Sequence, residues 1–77
     1  MKIENNILQL QCGEEATILK FNNGLIACKL MAMGLLPGSP VELVRKSPFG
    51  NTIYIRSGNH HVALRDNEAA TIIISMN

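Results

Sequence analysis

Tryptophan is absent from this chain, tyrosine occurs once and phenylalanine twice, and no basic run stands in for the missing rings. Nucleic-acid binders collect positive charge to displace counterions and interleave it with stacking aromatics. Here the basic residues Lys2, Lys20, Lys29, Arg45, Lys46, Arg56 and Arg65 are spread along the sequence, only Arg45 and Lys46 are adjacent, and the formal net charge is +1. Nucleic acid is therefore not the expected partner; a steeply salt-dependent association with RNA would say otherwise. Long apolar runs are missing too, since nothing approaches the ~20 residues that span a bilayer. Glu4, Asn5, Asn6 and Gln9 break up the first ten residues, where a secretory leader would carry its hydrophobic segment. The expectation is a soluble, cytoplasmic protein with no direct membrane insertion.

Catalytic machinery is equally scarce. Ser39, Ser47, Ser57 and Ser75 lie in no nucleophile motif, no glycine-rich phosphate loop precedes a helix, and the six carboxylates form no paired arrangement. The chain is not expected to be an enzyme. Cys12 and Cys28 have no C-x-x-C spacing and no nearby histidine to complete a zinc site. A disulfide is compatible with the sequence, but in a reducing compartment two free thiols acting as small hydrophobes are expected.

What remains is a chain of 77 residues, enough for one domain over residues 1–77 and too short for a second core. Gly13, Glu14 and Glu15 make a turn into a strand over residues 15–21. Asn22 or Asn23 can cap a helix from about Leu25 to Met33, where Ile26, Leu30 and Met33 share one face. Gly34 supplies its left-handed end. Pro40 can open a strand that runs from Val41 to Arg45, in which Val44 breaks the alternation and points to partial burial on both faces. After the loop over residues 47–51, Thr52 to Arg56 alternate again, Gly58-Asn59 fits a tight hairpin turn, and His60 to Arg65 return. Asp66 is placed to cap one helical turn through Ala70, before a last strand from Thr71 to Ile74. The reading is mainly β: about five short strands, one α-helix and a short helical turn, closed into a small barrel that hides its edges.

The segment LMAMGLLPGSPVELVRKSPFGNTIYIR, followed by HHVALRDNEAATIII, resembles the FeoA family, which shares an L-x-x-x-G-L/M-x-P-G core, a P-x-G turn and an A/S-L-R-x-x-E-A close. The family's P-x-G-D-P turn reads Pro48, Phe49, Gly50, Asn51 and Thr52 here, without the acid and the second proline. The resemblance implies an SH3-like barrel and a partner: FeoB, a membrane transporter for ferrous iron with its own GTPase domain. It also implies kinship with barrels fused to iron-dependent repressors.

The residues supply their own reason to expect a protein partner. Cys28, Met31 and Ala32 fall opposite Ile26, Leu30 and Met33, so the second helix face is either covered by Leu35 and Leu36 or open for docking. Phe49, between Pro48 and Gly50, is hard to place in a core. Met31, Leu35, Leu36 and Phe49 are thus the candidate partner-binding residues, for the transporter or for another copy of the chain, although the first three would serve as core filler equally well. No cofactor is expected. The alternative is a metal-responsive sensor holding ferrous or another divalent ion through His60, His61, Glu68 or cysteine thiolates, against which adjacent strand residues point to opposite faces. Arg65 is expected to pair structurally with Asp66, Glu68 or a carbonyl rather than to serve a GTPase as a catalytic finger.

Overall fold

The computed structural model describes residues 5–76. Six strands form one sheet in the order β1-β6-β2-β3-β4-β5, each neighbouring pair antiparallel. They are β1 Asn5–Asn6, β2 Glu15–Phe21, β3 Pro40–Lys46, β4 Thr52–Ser57, β5 His60–Arg65 and β6 Ile72–Met76. Helix α1 spans Gly24–Ala32, the short turn α2 spans Asp66–Ala69, and a 3-10 turn covers Ile7–Gln9. The architecture is the expected mainly β barrel. Its ladder does not run full circle among the described residues, because β1 and β5 are the two edges. At that seam α2 packs against β4, β5 and the 3-10 turn.

Alternation puts Ala16, Ile18, Val41, Leu43, Ile53, Ile55, Leu64, Ile72 and Ile74 inside, joined by Leu30, Leu35 and Ala69 from the helices and their ends. Two elements lie outside the sequence expectation: β1 and the 3-10 turn, which deliver Ile7 and Leu10 to the core. Their signal is Asn6-x-x-Gln9. The Asn6 Oδ1 accepts from the Leu8 N–H at 2.9 Å, and Gln9 Oε1 accepts from the Asn6 N–H at 2.7 Å, so the two side chains start the turn reciprocally.

Val44 corrects the reading of β3 as partly buried on both faces. Leu43 pairs with Ile55 and Arg45 with Tyr54, leaving Val44 as an extra residue, a β-bulge that turns it outward at 44% exposure. Leu19 does the same in β2 opposite β6. The last strand starts at Ile72 rather than Thr71 and continues to Met76. Cys12 and Cys28 are free, as expected, but both are exposed, which corrects their assignment as packed hydrophobes. Cys28 sits two residues from the buried Leu30, about 200° round the helix, so it faces solvent when Leu30 faces the core.

Candidate docking surface

Helix α1 starts and stops on local chemistry. Asn23 Oδ1 accepts from the Leu25 and Ile26 N–H groups at 3.0 and 3.1 Å, a cap worth about 1 kcal/mol. At the other end Gly34 takes φ +93°, its N–H donates to Met31 O and the Leu35 N–H donates to Leu30 O, both at 3.0 Å. This pair of bonds closes the helix and folds the residue after the glycine back onto the last full turn, where an apolar contact is the rule. Leu35 and Leu30 accordingly have no exposed surface.

Leu35 is therefore removed from the candidate partner-binding set. Met31 and Leu36 keep exposures of 39% and 48%. Phe49 is 89% exposed, and its conformation is built rather than loose. Ser47, Pro48, Phe49 and Gly50 form a β-turn in which the Gly50 N–H donates to Ser47 O at 3.0 Å. The Phe49 N–H donates to Ser47 Oγ at 3.3 Å, Pro48 presets the first corner, and Gly50 at φ +76° lets the chain return. Beyond the turn the Ser47 N–H meets Thr52 O at 2.8 Å, so the phenyl ring stands on a closed hairpin tip.

The barrel separates these residues. Gly34 lies against the ring of His60, and His60 pairs with Ser57, whose hydroxyl donates to Pro40 O at 2.6 Å. Leu36 and the end of α1 are thus at the Ser57 end of β4. Phe49 is at the Thr52 end, so the length of a six-residue strand, roughly 20 Å, lies between them. Met31 and Leu36 on one side and Phe49 on the other therefore belong to two surfaces. The Phe49 end also holds Leu25, 87% exposed, which the sequence reading does not single out. Asn51 O, in the Phe49 loop, accepts from the Asp66 N–H at the start of α2, while the Asn22 N–H, before α1, donates to Thr71 O just after α2. Leu25 was legible: it lies four residues from Lys29, the one charged residue of α1, and hence on the same outward side.

Electrostatics tie the two helices together. The Lys29 ammonium pairs with the Glu68 carboxylate, whose other oxygen accepts from the Arg65 N–H at 3.0 Å. These contacts, Lys29 foremost, hold the Glu68 carboxyl below its ordinary value against the opposing effect of burial. Glu68, not Asp66, therefore makes the side-chain capping contact, accepting from the N–H of the residue before α2; Asp66 is the first residue within the turn. Arg65 meets Glu68 through its backbone, and its side chain makes no ion pair among the described residues. The sensor's donors are not assembled: His60 faces Gly34, His61 faces outward beside Val44 and Tyr54, and Glu68 is engaged by Lys29. Among the described residues no three His, Cys, Asp or Glu side chains gather to hold a metal ion, and no helix is long and apolar enough to cross a membrane.

Comparison with known proteins extends this picture. The barrel superposes on the iron(II) transport protein A of Clostridium thermocellum with a TM-score of 0.86 at 32% identity, covering 94% of this chain and 45% of that one. It matches the Stenotrophomonas maltophilia FeoA, an SH3 domain protein solved with zinc, at 0.79 and 25% identity, covering 92% and 89%. A manganese-dependent transcriptional repressor shares the fold at 0.88 and 12% identity, with all of this chain on 38% of the repressor. No curated protein sequence matches. The FeoA domain pattern matches residues 6–76, and that span, with the SH3-like barrel beneath it, makes the chain a member of the FeoA family, whose proteins are accessories of ferrous iron transport.

Proposed function

We propose that this chain is a cytoplasmic accessory protein that regulates a FeoB-type ferrous iron transporter by docking onto the transporter's GTPase-containing cytoplasmic region. The observation that carries this reading is Phe49: an aromatic ring 89% exposed on a hairpin tip held by its own turn. An exposed ring on a rigid mount loses little conformational entropy when it enters a partner's pocket, which is the usual character of an interface anchor. The family's link to ferrous iron transport supplies the partner's identity. Leu25, at the same end, adds apolar area, and Met31 and Leu36 offer a separate surface for a second contact or a second copy of the chain.

The test is a binding titration of the transporter's cytoplasmic region with the wild-type chain, Phe49→Ser and Leu36→Ser. Loss of an anchor costs about 2 kcal/mol or more, roughly thirtyfold in affinity, so Phe49→Ser should bind at least that much more weakly, with Leu36→Ser affected less. Equal affinity of all three proteins would defeat the proposal.

Metal sensing is the second reading, motivated by the zinc bound to the Stenotrophomonas protein. In this chain the donors are dispersed among the described residues, which weighs against a site within one copy. Stoichiometric heat on titrating ferrous iron or zinc into the monomer under reducing conditions would favour the sensor over the docking module.

A further inference from the structure

The register of β3, β4 and β5 does what the linear sequence does not: it gathers positive charge. On the outside of this three-stranded face Arg56 lies between Glu42 and His61, Tyr54 between Arg45 and Ala63, and Thr52 beside Arg65. Three of the chain's seven basic residues share the face with one histidine. Its acid, Glu42, is already paired with Arg56. Glu15 neighbours Glu42 on the β2 side, Asp66 follows Arg65 at the seam, and Glu68, paired with Lys29, accepts from the Arg65 N–H, so the face itself sets three arginines against one carboxylate.

Strand β5 is also an open edge. Gly58, at φ +60°, starts the two-residue turn, so Ser57 and His60 exchange hydrogen bonds and the bonded pairs then recur at every second residue. Two contacts fix that parity: the Asp66 N–H donates inward to Asn51 O at 3.2 Å, whereas the Arg65 N–H points off the edge to Glu68. His61 and Ala63 have the parity of Arg65. Their N–H and C=O groups point away from β4, no hydrogen bond from the described residues occupies them, and both residues are exposed.

We infer that β5 accepts an extended acidic segment of another protein as an added strand, bonded through the backbone of His61 and Ala63, with alternate carboxylates set beside His61 and Arg65 and in the field of Arg56 and Arg45. Backbone pairing supplies affinity and the charged face supplies selection, the division of labour usual in strand addition. A second copy of the chain is a poor occupant, because antiparallel β5 pairing would bring His61 and Arg65 of one copy against those of the other. Nucleic acid fits less well than an acidic strand. On this face the aromatic ring is Tyr54, and the Arg45 guanidinium already lies 4.5 Å from its centre, where a base would have to stack.

The experiment titrates isotope-labelled protein at low salt with a capped Glu-Val-Glu-Val-Glu-Val peptide. Its counterparts are the Lys-Val peptide, the acidic peptide N-methylated at alternate residues, and oligothymidylate. Saturable amide shifts confined to residues 60–65 are expected for the acidic peptide alone, weakened about tenfold by Arg65→Glu and by N-methylation of the peptide. Ala63→Pro, which removes an outward N–H and no ladder bond, should abolish them. No saturable binding, binding that survives N-methylation, or tighter binding of oligothymidylate would each overturn the inference; the N-methylated peptide decides the case even if Ala63→Pro fails to fold.

Discussion

Two corners of this barrel are written with the same letters. Residues 34–38 read Gly-Leu-Leu-Pro-Gly and residues 47–50 read Ser-Pro-Phe-Gly, each a large apolar side chain among helix-breakers. Yet Leu35 has no exposed surface and Phe49 is 89% exposed. The difference comes from the backbone that precedes them. A helix that ends on a left-handed glycine folds the next residue back onto its own last turn, and the core takes it. The third position of a tight turn between two strands faces away from both strands, and solvent or a partner takes it. Composition around a loop residue therefore says little about its burial, while the element it terminates says a great deal.

The largest effect should come from breaking the buried corner. Leu35→Ala is expected to cost about 2 to 5 kcal/mol of unfolding free energy in a urea titration, a large share of the stability of so small a domain; a loss below about 0.5 kcal/mol would mean that Leu35 is not a core residue. Gly34→Ala comes next. A Cβ there would meet His60 at an ordinary 3.5 Å, so the cost arises from φ +93° and should be about 1 to 2 kcal/mol in the same assay.

The contact that joins the two corners is weaker. Lys29 on α1 pairs with Glu68 on α2, and α2 is bonded to the Phe49 loop through Asn51. The folded state lowers the Glu68 carboxyl, so its contribution to stability is complete above the ordinary carboxylate range and is lost as pH falls through the lowered value. Lys29→Met should raise the Glu68 titration midpoint followed by carboxyl NMR and flatten the acid limb of the stability profile. At neutral pH the lost pair, partly solvent-exposed, should cost under about 1 kcal/mol. The smallest effect on stability belongs to Phe49→Ser, expected within about 0.5 kcal/mol of wild type, which is what makes it a clean probe of binding.

Strands β2 to β5, the α1 boundaries and the Gly58 hairpin were legible because period-two alternation and turn chemistry are local signals. Val44 was misread for a physical reason: a bulge breaks alternation in the same way as a strand buried on both faces, and only the β4 register distinguishes them. The opening 3-10 turn carried its Asn6-x-x-Gln9 signature in plain view, but so short an element has no periodicity to support it. Of the candidate site, the exposure of Phe49 followed from its turn. The burial of Leu35, the separation of Leu36 from Phe49 and the gathering of Arg45, Arg56 and Arg65 on one face all depend on tertiary pairing between distant residues, which linear spacing does not encode.

The account stands on the claim that this barrel works by presenting the Phe49 hairpin to a transporter. An amide shift map of the isotope-labelled chain, titrated with the isolated cytoplasmic region of a FeoB-type transporter, tests that claim directly. The account predicts the strongest changes at residues 47–51, extending to Leu25 across α2. Changes confined to the Leu36 end of the barrel, with the hairpin tip silent, would contradict it.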